Sequence, residues 1–174
     1  MNNLKKLQSL LQEGVVDGLL LTSKVNRHYA AGYDVDEGVA VSGREACYYF
    51  TDSHYIEVAQ ENLPGFVVEE VNRENPYDRR INAALEAQGI KTLGIEEQYL
   101  TYGEFLNYEK KLNAALMPFQ KEISKFRQVK EDWEIDKMRR AQEITDQAFE
   151  KILKVIKPGM TEKELTAELI YTLY

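Results

Sequence analysis

Two short stretches bring together residue types that could do chemistry. Asp52-Ser53-His54-Tyr55 sets a carboxylate, a hydroxyl and an imidazole side by side. A Ser/His/Asp triad is assembled by the fold, so adjacency along the chain is no evidence for one. The simpler reading is a helix start, with Asp52 as cap and Tyr55 turned inward. Tyr33-Asp34-Val35-Asp36-Glu37-Gly38 is an acidic loop whose alternating carboxylates could face a metal or a cationic group. It is too short for a calcium loop, which draws ligands from about twelve positions, and most such loops are solvated turns. Lys121, Lys125, Arg127 and Lys130 form a basic stretch, read here as a solvated interdomain linker. There is no Gly-rich phosphate loop, no H-E-x-x-H and no C-x-x-C.

Composition narrows the classes further. The chain has 174 residues, 44% hydrophobic and 29% charged, enough apolar content for a core. Its net charge of -7 argues against a nucleic-acid binder. One cysteine, Cys47, excludes an internal disulfide, and two histidines leave little for a His-based metal site. No apolar run approaches the roughly 18 residues of a membrane span, and a reduced, cytoplasmic compartment is expected. The eleven tyrosines suit interfaces and cores alike.

The elements that must position these residues alternate. Leu4, Leu7, Leu10 and Leu11 recur at helical spacing up to Gly14. Residues 18–21 read as a buried strand, and residues 26–32 as one helical turn. Residues 39–41 and 46–50 read as strands joined by a tight turn at Gly43. A helix to residue 60 or 61 follows, then a β-rich stretch over 65–71. Asn75, as a cap followed by Pro76 in the first turn, opens a helix that Gly89 ends. Residues 92–95 form a strand, Thr101 and Glu104 a capping box, and residues 115–119 an edge strand carrying Pro118. The pattern predicts an α/β layer with a mixed sheet.

The character then changes. Ile135, Met138, Ala141, Ile144, Ala148, Ile152 and Val155 mark one long amphipathic helix, stopped by Lys157-Pro158-Gly159. Arg139 and Glu143 are placed to pair along it. Thr161 and Glu164 repeat the capping pattern, and Leu165, Leu169 and Leu173 begin another apolar face. With no stop signal before Tyr174, the chain reads as a fragment cut inside a second domain.

Phe126-Arg127-Gln128-Val129-Lys130-Glu131-Asp132-Trp133-Glu134-Ile135, followed by Met138-Arg139-Arg140-Ala141, resembles the domain junction of the creatinase/prolidase family of Xaa-Pro peptidases. Residues 156–165, I-K-P-G-M-T-E-K-E-L, resemble that family's turn between the first helices of its pita-bread domain. Asp17-Gly18-Leu19-Leu20, the set Asn26, Tyr29 and Gly32, the pair Asp52 and Tyr55, and Gly94-Ile95-Glu96 match its N-terminal pattern in order and spacing. His54 departs from it, standing where arginine is usual.

The resemblance implies a creatinase-like N-terminal domain over 1–123, a ribonuclease H-like mixed sheet flanked by helices. Residues 124–174 would be two helices of a truncated pita-bread catalytic domain. The parent would be a metal-dependent Xaa-Pro dipeptidase or aminopeptidase cleaving proline-containing peptides. It would hold two divalent metals, manganese, cobalt or zinc, on two Asp, one His and two Glu beyond this segment. No catalytic residue, metal ligand or cofactor is expected within the chain itself. The resemblance also implies a homodimer, with N-terminal loops that approach the neighbouring subunit's active site. Tyr33, Asp34, Asp36 and Glu37 are therefore the candidate substrate-contacting residues, acting in trans. No nucleic acid or membrane partner is expected. The alternatives are a peptidase-like protein-binding module and a metal-free creatinase-type amidinohydrolase.

Overall fold

A computed structural model describes residues 2–173. The chain divides into two compact units, Met1–Gln128 and Val129–Tyr174.

In the first unit, helix α1 (Leu4–Ser9) tightens into a 3-10 turn (Leu10–Glu13) and stops at Gly14, with φ of 74°. Strand β1 (Gly18–Leu21) is buried throughout. Helix α2 (Lys24–Ala31) starts two residues before the expected turn, because Ser23 caps it by accepting from Asn26 N–H. Strands β2 (Val39–Ser42) and β3 (Cys47–Thr51) pair antiparallel across the Gly43 turn. Then come α3 (Ile56–Asn62), β4 (Phe66–Glu70), α4 (Tyr77–Gln88), β5 (Thr92–Ile95), α5 (Tyr102–Lys111), β6 (Ala115–Pro118) and α6 (Gln120–Gln128).

The sheet order is β4-β3-β2-β1-β5-β6. β2 is antiparallel to both its neighbours, and the pairs β1/β5, β3/β4 and β5/β6 are parallel. Five strands therefore end at one edge, from which β2 enters. Alternation sorts side chains to the two faces. Leu19, Leu21, Ala40 and Tyr49 pack under α1, α2, α3 and α6. Leu20, Val39, Val41, Phe50, Leu93 and Ile95 pack under α4 and α5. Each leucine sealed there contributes about 1.5–3 kcal/mol. Gly94 is small because Phe119 and Leu19 leave it no room. A Cβ there would lie 2.8 Å from the Phe119 Cβ and 3.0 Å from the Leu19 Cδ2.

Four expectations change. Residues 121–128 are not a linker: α6 packs on α1 and buries Ile123 in the core, because its apolar residues recur at helical steps between the lysines. Asp52 does not cap α3. Tyr55 occupies that position, while Asp52 accepts from His54 N–H within a turn. Likewise Pro76, not Asn75, precedes α4, and the Asn72 side chain holds the turn before it. Arg139 pairs with Asp136 rather than with Glu143.

The second unit is α7 (Asp132–Val155) and α8 (Glu162–Leu173), packed on each other. Glu131 and Glu134 form a capping box for α7, as Thr161 and Glu164 do for α8. Lys137 lies over Trp133, and Lys151 over Tyr171. Ala148 and Ile152 are buried, whereas Met138, Phe149, Leu153 and Ile170 are exposed.

Two outcomes are expected. Exposed apolar residues on α7 and α8 favour self-association of this chain, which light scattering over a concentration series detects as a rising mean mass. Asp17 ties β1 to β5, its Oδ2 accepting from Thr92 Oγ1 at 2.8 Å, Thr92 N–H at 3.0 Å and Lys91 N–H at 3.1 Å. The Thr92 hydroxyl foremost, then these amides and Arg44, hold its carboxyl below its ordinary value. A depressed folded-state value stabilises above the unfolded value and is lost as pH falls through the folded one. Asp17→Asn should lower stability at neutral pH by about 1–2 kcal/mol. Urea denaturation should show that gap closing as pH falls below the ordinary Asp value.

Candidate functional site at the carboxyl edge of the sheet

In open α/β sheets, ligands gather outside the carboxyl ends of the strands. Here that edge is organised by Glu96, which follows β5 and is 0% exposed. One carboxylate oxygen accepts from the Thr22 amide at 2.5 Å, the Ser23 amide at 2.9 Å and the Thr22 hydroxyl at 3.3 Å. The other accepts from the Ser23 hydroxyl at 2.5 Å and from the Asn26 side-chain amide. Parallel pairing of β1 with β5 brings these groups together, and Ser23 and Asn26 belong to the first turn of α2. Glu96 thereby sets where α2 begins. The neighbouring Glu97 accepts from the Phe119 and Gln120 amides, both at 3.0 Å, and holds the start of α6.

α2 ends at Gly32 with φ of 73°, and the acidic loop runs from there into β2. Gly38 closes the loop with φ of 140°, where a Cβ would lie 2.6 Å from Tyr49 Cε1. The four expected contact residues behave differently. Tyr33 is exposed. Asp34 and Asp36 flank Lys24 Nζ at 3.2 Å and 2.5 Å. Hydrogen bonds to Asp36 and then Asp34 raise the Lys24 pKa, and the same contact lowers that of Asp36. The exposed Glu37 carboxylate makes neither a hydrogen bond nor an ion pair among the described residues.

Tyr77, at the start of α4, belongs to the same edge. Burial pushes its phenol up, and the charges of Glu37 and Asp52 add to that. Asp52 and His54 pair at 3.3 Å on the surface, with the His54 side chain 82% exposed. Among the described residues, no hydrogen bond links Ser53 to this pair, and the stretch forms a turn rather than a triad.

Among the described residues, no three His, Cys, Asp or Glu side chains cluster to hold a metal ion. No helix there is long and apolar enough to cross a membrane.

Residues 3–129 match the Creatinase/Prolidase N-terminal domain, and residues 136–174 match Metallopeptidase family M24. The chain belongs to the creatinase/prolidase N-terminal domain family. The uncharacterized peptidase YqhT of Bacillus subtilis is 33% identical over 95% of this chain and 47% of its own length. The Xaa-Pro dipeptidase of Pyrococcus horikoshii is 29% identical over 96% of this chain and 46% of its own length. Among solved structures, an Xaa-Pro dipeptidase from Bacillus anthracis superposes with a TM-score of 0.86 at 29% identity, over 98% of this chain and 48% of the other. An X-Pro aminopeptidase from Thermotoga maritima superposes with a TM-score of 0.87 at 26% identity, over 99% and 49%. The chain spans about half the length of the curated relatives it matches.

In this creatinase/prolidase domain, reading the sequence missed Lys24, Arg27, Tyr49 and the role of Glu96. Lys24 and Arg27 did carry a signal: two cations three residues apart, just ahead of an acidic loop. Glu96 carried none beyond its family match. Glu96→Gln should cost about 2–4 kcal/mol, because it turns an N–H₂ group toward buried donors. Asp52→Asn, at an exposed pair, should stay within about 0.5 kcal/mol. Urea denaturation of both variants checks the contrast.

Proposed function

We propose that this chain is the substrate-gating and dimerisation part of a metal-dependent Xaa-Pro peptidase of the prolidase or aminopeptidase P type. The observation that carries the reading is that one chain matches the N-terminal domain and then the M24 metallopeptidase family, in that order. Relatives named as Xaa-Pro dipeptidases align along nearly its whole length. On this reading the protein works in the cytoplasm as a homodimer on proline-containing peptides. The full-length protein holds two divalent metals, manganese, cobalt or zinc, which supply the hydrolytic chemistry. None of that chemistry runs through the residues of this chain.

What the chain offers the reaction is the loop over 33–38. It lies at the carboxyl edge and joins two elements anchored in the core. In trans, Tyr33, Asp34, Asp36 and Glu37 line the approach to the neighbouring subunit's site and limit substrate length. The loop carboxylates receive the α-ammonium group of a peptide through charge-assisted hydrogen bonds. Lys24 already neutralises Asp34 and Asp36 in part, so Glu37 carries most of this role.

In the full-length enzyme, Glu37→Gln should raise KM for an Xaa-Pro dipeptide by about tenfold or more, the weight of one charge-assisted hydrogen bond. Asp36→Asn should raise it less. Steady-state kinetics on a dipeptide and a longer peptide decide the matter. An unchanged KM and length preference in both variants leave the loop with a structural role only.

A further inference from the structure

Arg27 is 6% exposed, yet among the described residues it makes no ion pair. A buried cation without a counter-ion is costly unless its donors are used. Its Nη1 donates to the Tyr49 hydroxyl at 2.7 Å and to the Val35 carbonyl at 3.4 Å, and Nη2 donates to the Asp36 carbonyl at 3.0 Å. Nε has no partner. The Tyr49 hydroxyl donates onward to the Glu37 carbonyl at 3.1 Å, which also accepts from Thr51 Oγ1 at 3.0 Å. Three consecutive loop carbonyls are thus held from beneath. Gly38 shows independently how closely the loop lies on Tyr49, since a Cβ there would meet the ring.

We propose that Arg27, acting through Tyr49, is the positioning residue that fixes the backbone of residues 35–37 and so aims the Glu37 carboxylate at the amine end of a peptide. This rests on the gating reading above. The planar fork of an arginine suits the task, because it fixes two acceptors at once where a lysine offers a point charge. The Lys24 pairs cannot do the same. All three side chains are about half exposed or more, and solvent screens them. The Lys24 contact tunes the loop's charge, and the Arg27–Tyr49 contact sets its shape.

Tyr49→Phe keeps the ring and removes only the hydroxyl, so it is the decisive variant; Arg27→Lys is the second. In this chain, the NMR backbone order parameters of residues 35–38 should fall from about 0.85 to below about 0.6 in Tyr49→Phe, while those of β1 stay unchanged. In the full-length enzyme, KM for an Xaa-Pro dipeptide should rise about three- to tenfold, with kcat within about twofold. Unchanged order parameters at 35–38 overturn the positioning role. Lower order parameters with unchanged KM overturn the gating reading, and the contact is then packing alone. If Arg27→Lys fails to fold, Tyr49→Phe decides by itself.

Discussion

A carboxylate buried without a cation is tolerated only when its oxygens are filled with donors, and Glu96 meets that condition with groups from a single segment. Two backbone amides, two hydroxyls and one side-chain amide from residues 22–26 converge on it. Because β1 and β5 pair in parallel, the bond network sits where both strands end. It fixes the origin of α2, and the direction of α2 fixes where Gly32 releases the chain into the acidic loop. A change at Glu96 would travel through that helix before it reached the loop.

The loop depends on a second balance of the same kind, with the signs reversed. Here a buried cation, Arg27, is met by carbonyls and a phenol instead of by a carboxylate. The carboxylates of Asp34, Asp36 and Glu37 lie on the outside, with Lys24 bridging the first two. Loop charge is therefore largely spent within the loop, and Glu37 is left as its open acceptor. Burial raises the Tyr49 phenol above its ordinary value, and Arg27 works against that shift. The hydroxyl therefore stays protonated at neutral pH and continues to donate to the Glu37 carbonyl.

The helical unit after residue 128 follows different rules. Its helices are well started, each by a capping box, and the Gly159 turn between them has φ of 94°. Local signals suffice to make such helices, but they do not bury the faces carrying Phe149, Leu153 and Ile170. The fold of the α/β unit is closed by its own residues, with apolar side chains sealed on both faces of the sheet.

Much of this was legible in the residues alone. The apolar run at 18–21, the hairpin about Gly43 and the capping residues Thr101 and Thr161 are local signals, read by spacing and by side-chain chemistry. The ordered motifs from Asp17 to Leu165 carried the family. The helix over 120–128 was hidden because its lysines and arginine gave it the charge of a linker, while Ile123 and Phe126 packed inward. Asp52 and Asn75 were plausible caps, yet the backbone around them turned before the helix began. The site was decided by tertiary structure, because strand order is not encoded in local periodicity. Glu96 meets residues 70 to 74 positions away only because β5 lies beside β1. Tyr49 reaches the loop only because β3 lies beside β2 on the face that α2 covers. The sequence by itself determined which residues carry charge at 33–38. Burial of Arg27 and the reach of Lys24 decided which of those charges remains open.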